Sequence, residues 1–370
     1  MQAVTVLLII GGLLLLALGG EVLVRGAGGL ARSLGMSPLL VGLTVVAFAT
    51  SAPEFAVSVQ SAIVGTPGLA VGNVVGSNIA NVLLILGVSA VVAPLTVASK
   101  LVRRDVPVMI GISVLALVLS LDHKLDVVDG VILLAVMIAY LIVTIIGSRR
   151  EAAESAPRAD PGGSEPGRRP LWLDGVLVAV GVALLVLGAG WLVDGATAVA
   201  HAWGVSDLII GLTVVAVGTS LPELATSLVA TMRGERDIAV GNIVGSCLFN
   251  IGVVLSATAL VSRGGIPVEP SAVRFDMPVM VAAAVLLLPV AFVGGSIARW
   301  EGVAFVAFYA TYLVYLVLTA LQHSMLPVFS LALTAFVLPL TVLTLIVLSV
   351  AEWRRRLKDG PRASIRSHES

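Results

Sequence analysis

The sequence has little charge and few of the side chains that bind transition metals or form disulfides. Only 12% of its 370 residues are Asp, Glu, Lys or Arg, against roughly 25% in soluble domains. A single cysteine, Cys247, excludes an internal disulfide. The four histidines fall in predicted loops, span ends or the tail. No nucleophile–base set, zinc motif or phosphate-binding loop is present, so the sequence does not indicate an enzyme.

Long apolar runs are what the sequence has in abundance. Hydrophobic residues make up 58% of the chain, and apolar segments of about 20 residues follow one another, which predicts an all-α integral membrane protein rather than a barrel. The first run lacks a preceding basic region and is too long for a signal peptide, so it is predicted to be a span. Eleven spans are predicted at about 3–24, 38–63, 68–92, 104–120, 127–147, 172–193, 207–231, 238–261, 275–294, 301–320 and 327–350.

These spans predict two halves and one addition. Residues 1–147 and 172–320 hold five spans each, and the polar, Pro/Gly-rich segment 148–171 links them. An eleventh helix at 327–350 precedes a basic tail at 351–370. With the N-terminus outside, 19 of the 22 Lys and Arg fall on the cytoplasmic side. Because positive charge is retained in the cytoplasm, we expect a multi-pass protein of the cell membrane with its N-terminus outside and its C-terminus inside.

The two halves share a repeated motif. Residues 37–54 read SPLLVGLTVVAFATSAPE and residues 206–223 read SDLIIGLTVVAVGTSLPE, identical at twelve of eighteen positions. A second pair, 70–81 and 239–250, is identical at eight of twelve positions with the same offset of 169. Since five is an odd number of spans, the second copy enters the membrane from the opposite side. This predicts an inverted repeat, which many secondary transporters have.

Each copy places an acid within an apolar span. Glu54 and Glu223 end Thr-Ser-x-Pro-Glu motifs, and an ionisable residue inside a membrane predicts a functional site. The proline removes a backbone donor and breaks the helix, which exposes carbonyls beside the Thr and Ser hydroxyls. Thr50, Glu54 and Ser58 share a helix face by their spacing of four.

A second polar element follows a Gly-x-x-x-Gly pair in each half. Small residues four apart let helices approach closely, and Ser77 with Asn81, or Ser246 with Asn250, come directly after them. Carboxylates, hydroxyls, amides and carbonyls suit Na⁺ and Ca²⁺ rather than zinc or copper. Two ionised glutamates are neutralised by one Ca²⁺, and Na⁺ or two protons can replace it. Asn73 and Asn242 are predicted either to bind the ion or to cap or bridge helices, and Cys247 is expected to pack.

These motifs resemble the α-repeats of the sodium/calcium exchangers, in the cation/calcium antiporter superfamily, over about residues 1–320. The resemblance implies a prokaryotic type of exchanger in which the second, third, seventh and eighth spans form the ion-binding core. The first and sixth spans would slide past this core. The implied ion ligands are Glu54, Glu223, Thr50, Ser51, Thr219, Ser220, Ser77, Ser246, Asn81, Asn250 and the carbonyls of Ala47 and Ala216.

One implied ligand departs from the family pattern. Some exchangers have Asp where this chain has Asn250, which removes one potential negative charge. The leading hypothesis is exchange of Ca²⁺ for Na⁺ by alternating access, with Ca²⁺/H⁺ antiport on the same fold as the alternative and a cation channel or membrane sensor as a different class. The expected partners are the lipid bilayer and the transported ions, with no bound cofactor and no nucleic acid.

Overall fold

The computed structural model describes residues 2–155, 170–204, 214, 216–292, 295–332 and 350. It confirms a helical membrane protein. Seven described helices are long and apolar enough to span a membrane, or eight if one bent pair counts as a single span. The predicted eleventh span, 327–350, lies mostly outside the described residues, as does most of the 148–171 linker.

The helices follow the order expected of two related halves. Those of the first half are α1 (Gln2–Leu34), α2 (Pro38–Thr50), α3 (Ala52–Ile63), α4 (Gly68–Val92), α5 (Val106–Leu119) and α6 (Val127–Ser155). Those of the second half are α7 (Leu171–Ala202), α8 (Leu221–Met232), α9 (Arg236–Val261), α10 (Met277–Phe292) and α11 (Arg299–Ala320), followed by the short α12 (Leu326–Ala332).

Glycines spaced seven apart bring α1 and α7 together. Gly12, Gly19 and Gly26 of α1 face α7, and the repeat-related Gly181, Gly188 and Gly195 of α7 face α1. A Cβ added at Gly12 would lie 2.8 Å from the carbonyl oxygen of Gly188, so only hydrogen fits there. This packing of small residues suits helices in lipid, where close backbone approach supplies the attraction. The two helices run antiparallel, as an inverted repeat requires.

The repeat is also visible in irregular backbone. A π-helical turn lies within α4 at Ala80–Ile85 and its counterpart lies within α9 at Asn250–Leu255. Two further π-helical turns, Leu101–Asp105 and Ala272–Asp276, precede α5 and α10. Such turns add a residue to the helix and are frequent at functional sites. The first turn begins at Ala80, next to Asn81, and its counterpart begins at Asn250 itself.

Two short β-pairs connect the halves between the helices. Strand β1 (Leu95–Thr96) pairs antiparallel with β4 (Ser296–Ile297), and β2 (Lys124–Leu125) pairs with β3 (Ile266–Pro267). Leu95 stands opposite Ile297, and Leu125 stands opposite Ile266, with all four side chains buried. Each pair joins a loop of one half to a loop of the other half.

Helix α9 lies at the centre of the bundle. Every residue from Ile238 to Phe249 is buried, so its polar side chains face protein and not lipid. Helix α4 occupies the related position in the first half, where the stretch from Ser77 to Leu83 is buried. The bent pair α2–α3 and helix α8 pack against these two central helices, which gathers the repeated motifs in the interior.

Candidate functional site

The first acid lies where a helix breaks. Helix α2 ends at Thr50 and α3 begins at Ala52, with a bend of 44° between them. Pro53 stands in the first turn of α3, where a missing N–H costs no hydrogen bond. Glu54 follows in that first turn and is fully buried. A carboxylate at this position is stabilised by the free N–H groups and positive dipole end of the helix.

The second acid repeats this geometry. Helix α8 begins at Leu221 with Pro222 in its first turn, and Glu223 is fully buried in the same turn. The residues before α8 form a helical turn at Ala216–Gly218 followed by Thr219 and Ser220. Two helix N-termini in the protein interior therefore each carry one glutamate.

Serines link each acid to the opposite half. Ser51 Oγ donates to Glu223 Oε1 at 3.3 Å, and Ser220 Oγ donates to Glu54 Oε1 at 3.4 Å. Ser77 Oγ lies 3.5 Å from the same oxygen of Glu54. Because the Ser51 and Ser220 contacts exchange under the 169-residue offset, the two motifs form one shared site.

The second oxygen of each acid remains available. Glu54 Oε2 and Glu223 Oε2 have no hydrogen-bond partner among the described residues. Within the same part of the chain, no Lys or Arg side chain contacts either acid. Burying an ionised carboxylate without a counter-charge costs on the order of several kcal/mol. A bound cation or a proton is required to offset that cost.

Threonines and asparagines form a second ring of contacts between the halves. Thr50 Oγ1 donates to Asn242 Oδ1 at 3.0 Å, and Thr219 Oγ1 lies 3.5 Å from Asn73 Oδ1. Thr50 Oγ1 is also 3.4 Å from the hydroxyl of Ser246. Each threonine thus contacts the opposite half, as the serines do.

The two asparagines of this ring act as bridges. Asn73 Nδ2 donates to Ser58 Oγ at 2.9 Å, and Asn242 Nδ2 donates to Ser227 Oγ at 3.0 Å. With the threonine contacts, both ends of each amide are engaged by protein. Of the two roles that the sequence leaves open, the geometry corresponds to bridging between helices.

The remaining predicted ligands lie at the centre and flanks. Asn81 and Asn250 are fully buried. The side-chain nitrogen of Asn250 has a hydrogen-bond partner among the described residues. Its side-chain oxygen, and both side-chain polar atoms of Asn81, have none there. The carbonyl of Ala47 accepts from the Ser51 N–H at 3.0 Å. Ala216 is the repeat counterpart of Ala47. In the second half, however, the Ser220 N–H donates to the carbonyl of Val217 at 3.1 Å and not to the carbonyl of Ala216.

Access differs between the two sides of the site. Thr50 and Asn242 are buried, whereas their counterparts Thr219 and Asn73 are half-buried. Gly72, next to Asn73, is exposed. The contacts are therefore nearly two-fold symmetric while the exposure is not.

Two features escaped the sequence reasoning. Asn78 contacts both Asn250 and the carbonyl of Cys247, but its counterpart is Cys247, so a search for residues identical in both copies passes over it. The other feature is a buried carboxylate–tyrosine pair in each half. Tyr140 donates to Asp105 at 3.1 Å, and Tyr312 donates to Asp276 at 3.0 Å. An aspartate followed by a tyrosine about 35 residues later occurs in both halves, and this repetition could have predicted the pairs.

The polar atoms of the candidate site are oxygens and amide nitrogens, without a transition-metal cluster among the described residues. No group of three or more His, Cys, Asp or Glu side chains that could hold a metal ion occurs among the described residues. The oxygens come from carboxylates, hydroxyls, amides and carbonyls, which is the ligand set of hard cations. Binding sites at broken helices within inverted repeats are typical of secondary transporters.

The chain belongs to the sodium/calcium exchanger protein family, whose model matches residues 4–146 and 174–318. It is 40% identical over 295 residues to the inner membrane protein YrbG of Escherichia coli, which covers 77% of this chain and 88% of the relative. It is 33% identical over 339 residues to the sodium/calcium exchanger MaX1 of Methanosarcina acetivorans, covering 83% and 96%.

A solved structure has the same fold. The sodium-calcium exchanger NCX_Mj superimposes with a TM-score of 0.72 and 33% sequence identity, over 85% of this chain and 99% of that one. The expected family and the inverted-repeat helical fold are therefore confirmed. Family membership places the chain among membrane transporters.

Proposed function

We propose that this protein is a secondary antiporter that exchanges Ca²⁺ for Na⁺ across the cell membrane by alternating access. The observation that carries the proposal is the reciprocal pair of contacts, Ser51 to Glu223 and Ser220 to Glu54. A site made from both inverted halves can be exposed to either side when one half moves relative to the other. The exchanger names of MaX1 and NCX_Mj agree with this assignment.

Charge explains why Ca²⁺ fits the site. Glu54 and Glu223 together carry two negative charges when ionised, and one Ca²⁺ neutralises both. Ca²⁺ takes six to eight oxygens at about 2.3–2.6 Å in loose geometry, which neither carboxylate can supply alone. The proposed ligands are Glu54, Glu223, Thr50, Ser51, Thr219, Ser220, Ser77, Ser246, Asn81, Asn250 and the carbonyls of Ala47 and Ala216.

The neutral oxygens favour Na⁺ as the exchanged ion. Both exchange modes need these oxygens when Ca²⁺ is bound, but once Ca²⁺ has left, a proton needs only one oxygen. Na⁺ needs several oxygens, and Ser51, Ser77, Ser220 and Thr50 supply hydroxyls near the two acids. Several Na⁺ ions sharing these oxygens would displace Ca²⁺ by competing for the same carboxylates.

Unequal exposure of the two sides supports alternating access. Thr219 and Asn73 are half-buried, while Thr50 and Asn242 are buried. In a transporter with inverted repeats, exchanging the environments of the two halves closes one entrance and opens the other. The asymmetry corresponds to one state of such a cycle.

Calcium flux in liposomes tests the proposal. Purified protein is reconstituted into vesicles loaded with Na⁺, which are diluted into Na⁺-free medium with radioactive calcium. We expect calcium uptake that disappears when a sodium ionophore dissipates the gradient. A matched set of vesicles without Na⁺ and with an acidic interior should show no uptake. Uptake driven by the pH gradient alone would establish Ca²⁺/H⁺ antiport, and single-channel currents would establish a channel.

We further propose that the N-terminus is outside the cell and the C-terminus is cytoplasmic. The support is the distribution of Lys and Arg among the loops. Because the native Cys247 is buried, new surface cysteines can be labelled selectively. In intact cells a membrane-impermeant maleimide should label Asp122→Cys and should label Ser99→Cys only after lysis, both positions being exposed. The reverse pattern would contradict the orientation.

A further inference from the structure

Asn78 lies at the centre of the molecule and contacts one proposed ligand without being one. It is 2% exposed, on helix α4. Its Nδ2 donates to the backbone carbonyl of Cys247 at 3.2 Å and lies 3.7 Å from the sulfur of Met280. Its Oδ1 accepts from Asn250 Nδ2 at 3.1 Å. Both ends of this amide are therefore engaged by the second half of the protein.

These contacts have a fixed polarity. A backbone carbonyl can only accept, so it selects the nitrogen end of the Asn78 amide. The oxygen end of Asn78 must then face Asn250, and because it is an acceptor it selects the Asn250 nitrogen. The Asn250 oxygen is left pointing away from Asn78, fully buried and without a hydrogen-bond partner among the described residues.

We propose that Asn78 is a positioning residue that orients the amide of Asn250 so that its oxygen, and not its nitrogen, faces the transported cation. The inference rests on the proposed function, since it assumes that Asn250 is a cation ligand. An amide that presented its N–H₂ group would repel a cation. Residues that orient metal ligands in this way typically change metal affinity by about 10- to 100-fold when removed.

The other half lacks this device. The repeat counterpart of Asn78 is Cys247, whose thiol lies near Asn81 and is a weak hydrogen-bonding partner. Neither amide atom of Asn81 makes a hydrogen bond within the part of the chain that the structure describes. The centre of the site is therefore asymmetric: the Asn250 amide is held by Asn78, and the Asn81 amide makes no hydrogen bond with the described residues.

The first test removes the acceptor. Asn78→Leu keeps a similar volume but offers no partner to Asn250. We expect the calcium concentration for half-maximal, sodium-driven uptake to rise by about 10-fold or more, with the maximal rate retained. Asn78→Ala, which cannot overpack the site, is the second variant. The control is Ser113→Ala, which removes a buried hydroxyl that donates to the carbonyl of Met109 in its own helix, and it should transport like wild type.

The second test separates orientation from mere packing. An aspartate has two equivalent oxygens and needs no orienting partner, so in an Asn250→Asp background the Asn78→Leu change should no longer raise the half-maximal calcium concentration. A residue that only holds α4 against α9 would cause the same loss in both backgrounds.

The outcomes distinguish this inference from the proposed function. If wild-type protein transports no calcium, the proposed function fails. If wild type transports calcium and both Asn78 variants keep its half-maximal concentration, or lose the same factor in the Asn250→Asp background, the positioning role is overturned.

Discussion

Close approach of helices α2 and α9 sets the geometry of the site, and one methyl group tests this. A Cβ added at Gly241 would lie 2.8 Å from the carbonyl oxygen of Leu39 and 3.1 Å from the nitrogen of Leu43. Ordinary van der Waals contact begins at about 3.5 Å, so Gly241→Ala forces the helices apart by roughly 0.7 Å. The neighbouring contact from Thr50 Oγ1 to Asn242 Oδ1, now 3.0 Å, would then exceed hydrogen-bonding distance.

The expected cost follows from overpacking. Adding a methyl group to a close-packed interior typically costs about 1–3 kcal/mol, and each 1.4 kcal/mol lost from ion binding is about a tenfold loss of affinity. We therefore expect Gly241→Ala to raise the half-maximal calcium concentration for uptake by about tenfold or more. Uptake by reconstituted protein at a series of calcium concentrations measures this value.

The repeat supplies a matched control. Gly72 is the counterpart of Gly241, but it is exposed, and a Cβ there would meet no described atom within 4 Å. Gly72→Ala should leave calcium affinity unchanged and slightly favour the helix. Equal affinity in wild type and Gly241→Ala, or an equal loss in both variants, would refute the reasoning.

Four further substitutions probe individual proposed ligands. Glu54→Gln or Glu223→Gln should abolish calcium uptake because each removes one of the two charges that balance Ca²⁺. The control Asp105→Asn alters a buried acid outside the site and should retain uptake. Near-normal flux in either glutamine variant would exclude that acid as an essential ligand. Ser51→Ala should weaken calcium binding by roughly 1 kcal/mol, the usual worth of a hydrogen bond, and an unchanged half-maximal concentration would count against a direct or supporting role. Asn250→Asp adds a charge at the centre and should alter the sodium concentration that competes with calcium; identical competition curves would place Asn250 away from the ions.

The sequence predicts the paired site because its chemistry is repeated. Thr-Ser-x-Pro-Glu occurs twice, and an odd number of spans per repeat makes the copies antiparallel, so facing acids follow from the pattern alone. The contacts of Ser51 with Glu223 and of Ser220 with Glu54 are related to each other by this symmetry. Whether each of these side chains binds an ion stays a prediction.

Features that break the repeat could not be predicted in the same way. Asn78 and Cys247 differ between the copies, and their roles depend on which side chain reaches which carbonyl across the interface. Aligning the two halves shows only that positions 78 and 247 hold different residues. The packed structure shows the contrast: Asn250 donates to Asn78, whereas Asn81 makes no hydrogen bond with the described residues.

Hydropathy predicts where a helix crosses the membrane but not where the helix ends. The first span is predicted at about 3–24, and helix α1 runs from Gln2 to Leu34, past the end of the apolar run. At 1.5 Å per residue its 33 residues extend about 50 Å, well beyond a hydrocarbon core of about 30 Å. The part of α1 beyond the apolar run still packs against α7, since Gly26 lies close to Asp174 and Leu177.

Direct calcium binding to the purified protein tests the central claim that Glu54 and Glu223 form one cation site. Calorimetric titration of wild type with Ca²⁺, with and without Na⁺, should give binding that weakens as Na⁺ rises. The same titration of Glu54→Gln, with Asp105→Asn as control, should show loss of binding only in the former. Calcium binding that persists in Glu54→Gln, or that is indifferent to Na⁺ in wild type, would contradict the account.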